Sequence, residues 1–162
     1  MANAWRPAYV ISGGQTGADQ GGLLAAQDLR IPTGGTAPHG WLTEDGPQER
    51  LLRSFGLMEC SEPGYPARTK ANVLSADATL LVGQYRTGGT ALTVKIARGA
   101  NKPVFHVAYG GRSMLPSDER IAEVREWLGR YQVHTLNVAG DRESQSPGIQ
   151  AFTRAFLVGA LR

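Results

Sequence analysis

Three short stretches concentrate the residues that could do chemistry. They are Gly13-Gly14-Gln15-Thr16-Gly17, Thr87-Gly88-Gly89-Thr90 and Ala139-Gly140-Asp141-Arg142-Glu143-Ser144. Glycine lets a backbone approach a ligand closely. The free N–H groups at the start of a helix suit an anion. A pocket for a phosphate-type group is therefore the leading expectation. Gly13, Gly14, Thr16 and Gly17 form the first-choice cradle, through backbone N–H groups and the Thr16 hydroxyl, with Gln15 between them. Gly88, Gly89 and Thr90 form the second. Arg68 and Arg142 suit bidentate pairing with a phosphate or oxyanion, and would be equally ordinary as surface or subunit-contact residues. Asp19 reads either as a first-turn carboxylate favoured by a helix dipole or as an acceptor for a ligand's ring N–H groups. Ser144 and Ser146 either donate to an anion or shape a turn.

Other chemistries find less support. A Walker loop needs Lys and then Ser or Thr after its last glycine, whereas Gly17 is followed by Ala18-Asp19. A dinucleotide fold wants an acid on the second strand, which here ends in Thr33-Gly34-Gly35-Thr36. His39, His106 and His134 show no metal spacing, so no directly bound metal is expected. Cys60 has no positioned base and reads as a packing residue rather than a nucleophile. Trp41 lies in the polar stretch 36–49, where it would stack on a pterin or base, or touch a partner subunit.

The positioning elements follow from patterning. Tyr9 to Ser12 is a short apolar run stopped by glycine, hence a buried strand. Thr16 to Leu29 carries an apolar stripe at helical spacing, with Thr16 as the N-cap. Ile31 to Thr33 is a weak second strand, 36–49 a long surface loop, and Leu51 to Cys60 ambiguous. Helices are expected over Pro66–Ser75, Gly88–Gly99, a segment capped by Ser117, and Ile149–Leu161. Strands are expected at Thr79–Val82, Pro103–Val107 and Val133–Val138. Alternating strands and helices mean crossover units and a parallel sheet. The expected fold is α/β, a three-layer Rossmann-like sandwich with a mainly parallel sheet of about five strands, forming one domain over 1–162. In such a sheet ligands bind beyond the carboxyl ends of the strands, where all three glycine stretches fall.

Composition sets the outer bounds. The 162 residues are 41% hydrophobic and 19% charged, which suits one globular domain rather than a disordered chain. A single cysteine excludes an internal disulfide framework and points to a reducing, cytoplasmic home. No apolar run reaches a membrane span, and the first residues lack a signal-peptide core. Net charge is +3 without a concentrated Lys/Arg stripe, which suits an anionic small molecule better than nucleic acid.

Six segments together resemble a known family. They are Gly13 to Ala26 (GGQTGADQGGLLAA), Glu44 to Pro47 (EDGP), Arg68 to Val82 (RTKANVLSADATLLV), Gly88 to Thr93 (GGTALT), Lys102-Pro103 and Asn137 to Ile149 (NVAGDRESQSPGI). They are similar to the family of putative molybdenum carriers, which includes molybdenum-cofactor carrier proteins. That family lies within a Rossmann-like group that also holds the Lonely Guy phosphoribohydrolases and DNA-processing protein A. The resemblance implies the fold read above and assembly as a homo-oligomer, dimer or tetramer. It also implies a role as binding or carrier protein for molybdenum cofactor or a nucleotide. The alternative it opens is a nucleotide N-glycosidase. Those hydrolases carry an arginine, similar to Arg68, and a PGGxGTxxE motif. Here Thr87-Gly88-Gly89 stands for PGG, Ala91 and Leu92 replace its G and T, and Lys95 replaces its glutamate. Lysine cannot supply that carboxylate, so the balance leans away from catalysis and no catalytic residue is assigned.

Overall fold

The computed structural model describes residues 5–162. The apolar run at the start becomes β1 (Tyr9–Ile11), and the stripe after it becomes α1 (Ala18–Asp28). Next come β2 (Thr33–Ala37), a 3-10 turn at His39–Trp41, and a small hairpin of β3 (Leu42–Thr43) and β4 (Gly46–Pro47). Then follow α2 (Glu49–Ser54), β5 (Leu57–Glu59), α3 (Tyr65–Ser75), β6 (Ala78–Val82) and α4 (Gly88–Gly99). The chain closes with β7 (Val104–Val107), α5 (Asp118–Arg130), β8 (Thr135–Gly140) and α6 (Ile149–Leu161).

Six strands pair in the order β5-β2-β1-β8-β6-β7, every pair parallel, while β3 and β4 pair antiparallel on their own. All five residues of β6 are buried, as expected for a central strand with helices on both faces. Helix α6 packs between α1 and α5, and α3 packs on α4. The main core joins Val10, Leu80, Val82, Leu136 and Val138 of the strands to Leu128, Phe156 and Leu157 of the helices. Ser117 caps α5 as its sequence suggests, its Oγ accepting from the Arg120 amide at 3.3 Å. Among the described residues no helix is long and apolar enough to cross a membrane.

The fold class is the α/β sandwich expected, with local corrections. The sheet has six strands rather than about five, because Leu57–Glu59 in the ambiguous segment pairs with β2. The second strand lies at Thr33–Ala37 rather than Ile31–Thr33 and runs through Gly34-Gly35. Glycine weakens a strand in isolation and hides it from patterning. Here it is required, since a side chain at Gly35 would run into the Ser12 backbone. Thr16 is not the N-cap of α1: the cap is Gly17, at φ 81°, with no side-chain bond. Trp41 neither stacks in a pocket nor faces outward. It is 5% exposed, packed with Leu23, Ala37, Leu52, Phe55 and Leu57 in a second apolar cluster. Segment 36–49 is thus partly folded, with its tryptophan as an anchor.

Candidate functional site

A cavity of about 300 Å³ opens at the carboxyl edge of the sheet. The turn after β1 contributes Gln15, and the first turn of α1 contributes Asp19. Tyr65 and Arg68 reach it from α3, and Gln84 with Gly88, Gly89 and Thr90 from the turn after β6 and the start of α4. The last residue of β8, Gly140, and Arg142 of the turn after it complete the lining. All three glycine stretches therefore meet at one cavity, but they do different things there.

The first stretch is a scaffold whose amides are already used. The Gly14 amide donates to Ser12 Oγ at 3.2 Å, that of Gln15 to Asp19 Oδ2 at 3.2 Å, and that of Thr16 to Gln15 Oε1 at 3.1 Å. The Gly17 amide donates to Gln150 Oε1 at 2.9 Å, and the Thr16 hydroxyl to Glu44. Its glycines admit neighbours. Arg68 lies across the Cα of Gly13, Leu52 and Leu57 press on Gly14, and the Asp141 carbonyl abuts Gly17. Gly13, Gly14, Thr16 and Gly17, the first-choice cradle of the sequence reading, do not line the cavity but flank it.

The second stretch keeps its amides free. No described residue accepts from the amides of Gly88, Gly89 or Thr90, the unpaired donors that begin α4. A Cβ at Gly88 or Gly89 would meet nothing within 4 Å, so the backbone there is open. Gln84 shapes the turn: its Oε1 accepts from the Arg86 and Thr87 amides at 2.8 and 3.2 Å, and its Nε2 donates to Thr90 Oγ1 at 3.1 Å.

Charge in the cavity is cationic overall. Asp19 is its only lining carboxylate among the described residues, against Arg68 and Arg142. Arg68 Nη1 sits 3.2 Å from Asp19 Oδ2. Burial pushes the Asp19 carboxyl up to about 6, partly offset by Arg68, by the Gln15 and Gly13 amides and by Arg142. Two buried donors on the lining lack acceptors, Arg68 Nε and Gln15 Nε2. Such atoms are costly unless something completes them. Arg142 enters no ion pair with any described residue. The Tyr65 ring centroid lies 5.3 Å from the Arg68 guanidinium carbon and 6.0 Å from that of Arg142.

Ser144 turns away from the cavity. Its amide donates to Glu44 Oε1 at 3.1 Å and its hydroxyl to Glu44 Oε2. The anion that Thr16 and Ser144 hold is the chain's own Glu44, at the tip of the 36–49 segment. Burial alone would raise the Glu44 carboxyl, but donors from Ser144 and Thr16, with Arg142 nearby, hold it below its ordinary value. Thr16, Glu44 and Ser144 edge a second hollow of about 950 Å³ beside α1 and α6. Ser146 donates to Asp141 Oδ2 at 2.8 Å. Lys95 is exposed on α4 and does not line the cavity, and neither do His39, His106 and Cys60. Among the described residues no three His, Cys, Asp or Glu side chains gather as a metal site. Sequence reading missed Tyr65 and Gln84. Gln84, directly after the Gly83 that ends a strand, had a positional signal; Tyr65 did not.

An open parallel sheet carrying a polar, donor-rich cavity at its carboxyl edge defines a Rossmann-like α/β protein. Residues 10–161 match the cpYpsA model, the circularly permutated YpsA SLOG family, and the chain belongs to that family. It is also similar to a solved structure from Syntrophus aciditrophicus SB, named a putative molybdenum carrier protein. The two share 32% identity and a TM-score of 0.88, over 99% of this chain and 98% of that one. None of the curated proteins matches the chain.

Proposed function

We propose that this chain binds and carries an anionic, phosphate-bearing small molecule, with molybdenum cofactor or a nucleotide as the cargo. The observation that carries the reading is the surplus of unsatisfied donors around one cavity. These are Arg68 Nε, Gln15 Nε2 and the amides of Gly88, Gly89 and Thr90. A phosphate among them would take charge-assisted bonds from Arg68 and Arg142 and bonds from the start of α4. Asp19, the one carboxylate present, would accept from ring N–H groups of the same ligand. This donor set suits the phosphate of molybdenum cofactor, and molybdenum would arrive inside that cargo without protein ligands. The volume lies at the small end of the roughly 300–1,000 Å³ usual for ligand pockets. The name carried by the structural neighbour supports the same reading.

Two measurements test it. Calorimetric titration with pyrophosphate should show saturable binding that weakens as salt rises. Native mass spectrometry of freshly purified protein should show a ligand mass that leaves on denaturation, on assemblies of two or four chains. No pyrophosphate binding at millimolar concentration would overturn the anion site. Release of free base from nucleoside monophosphates would replace the carrier with a hydrolase.

A further inference from the structure

Two cations approach this cavity from different parts of the chain. Arg68 is held by Asp19 and lies across Gly13. Arg142 has neither, since its guanidinium makes no hydrogen bond or ion pair with a described residue and the residue is exposed. A long, free arginine would lose much rotamer freedom on closing over an anion. One organised group does lie beside it. The Tyr65 ring is within 6.0 Å of the Arg142 guanidinium carbon and 5.3 Å of that of Arg68, and all three residues line the cavity.

We propose that Tyr65 is a positioning residue for anion binding: its ring gathers Arg142, and with it Arg68, at the cavity before the ligand arrives. The proposal rests on the anion-site reading above. Two guanidinium groups drawn to one site repel each other; Asp19 pairs with Arg68 only, and a second carboxylate would cancel the charge the ligand needs. An aromatic ring attracts both through its quadrupole and leaves their charge intact. The backbone makes this placement possible. Gly64, at φ 90°, starts α3 so that Tyr65 stands at its first position, with Pro66 behind it and Arg68 on the same turn.

The test uses the full chain and pyrophosphate as probe. Tyr65→Leu should weaken binding about 5- to 10-fold, the worth of two partly exposed contacts of this kind. Tyr65→Phe, which keeps the ring, should restore wild-type affinity. In an Arg142→Ala background the cost of Tyr65→Leu should shrink, because the two act through one contact. Melting of the wild-type, Tyr65→Leu and Tyr65→Phe chains, read alongside, separates lost positioning from lost folding. Equal affinity of Tyr65→Leu and wild type overturns the inference and leaves the anion site standing. Loss in Tyr65→Phe as large as in Tyr65→Leu overturns it too, since the hydroxyl would then be at work. A full cost of Tyr65→Leu without Arg142 also overturns it. No binding by the wild-type chain overturns both readings.

Discussion

Asp19 is where burial and function pull hardest against each other. Its carboxyl rises from 3.8 to about 6 in the folded chain, so the folded state holds its proton more tightly than the unfolded one. Stability from this group is therefore full below about pH 4 and is lost as pH rises towards 6, by on the order of 2–3 kcal/mol. Urea unfolding across pH 4 to 7 should show that slope, and Asp19→Asn should remove this contribution to it. Anion binding should move the same way. Sulfate, whose charge is constant over this range, should bind more tightly as pH falls through 6, and Asp19→Asn should flatten the profile. Gly13 sits on the other side of the same pair. A methyl group there would overlap the Arg68 guanidinium, at a backbone angle that alanine accepts. Gly13→Ala should weaken pyrophosphate binding at least about tenfold, because Arg68 must swing away, and should also lower the melting temperature, because the buried Asp19 carboxylate loses its partner.

At the scale of elements, the 36–49 segment ties the turns after β1 and β8 to each other. Glu44 accepts from Thr16 on one and from Ser144 on the other, and its own amide donates to Gln15 Oε1 at 2.8 Å. Glu44→Ala should remove about 1 kcal/mol of stability, given that the latch is partly exposed, and should open segment 36–49 to proteolysis. Limited digestion beside the wild type measures this. The carboxyl is held below its ordinary value, so the latch's contribution is present above pH 4.5. It fades only as pH falls through the lower folded value. Helix α4 behaves differently: its first amides stay open because Gln84 spends its own side chain on the turn before it.

For the molecule as a whole, two apolar clusters support one edge of one sheet. The larger backs the central strands, and the smaller is built around Trp41 under β2, β5 and α2. Trp41→Ala should cost roughly 3–5 kcal/mol, a large share of the 5–15 kcal/mol typical of a domain. Denaturant unfolding is the measurement. A truncated side chain with no effect would mean that the second cluster does not support the fold. The glycines at the strand ends belong to this scale as well. Gly140, at φ 156°, packs so closely on Val82 that no side chain fits between the turns after β6 and β8. That closeness brings Arg142 and the start of α4 to one cavity.

By itself the sequence determined the alternation of strands and helices, the parallel sheet and the gathering of three glycine stretches at one edge of it. Those follow from short-range patterning, such as the apolar run Thr79 to Val82, the stripe of α1 and the cap at Ser117. The strand through Gly34-Gly35 escaped because its glycines are demanded by a neighbour rather than by local preference. Only tertiary structure decided which glycine turn is open and which is closed. The Gly17 amide is taken by Gln150, 133 positions away, and Thr16 by Glu44, 28 positions away. Hydrogen-bond capacity is filled by whatever folding brings near, so two turns alike in composition ended with opposite roles. Trp41 changed from a candidate ligand platform to core for the same reason, since exposure is a property of neighbours rather than of a residue's place in the chain.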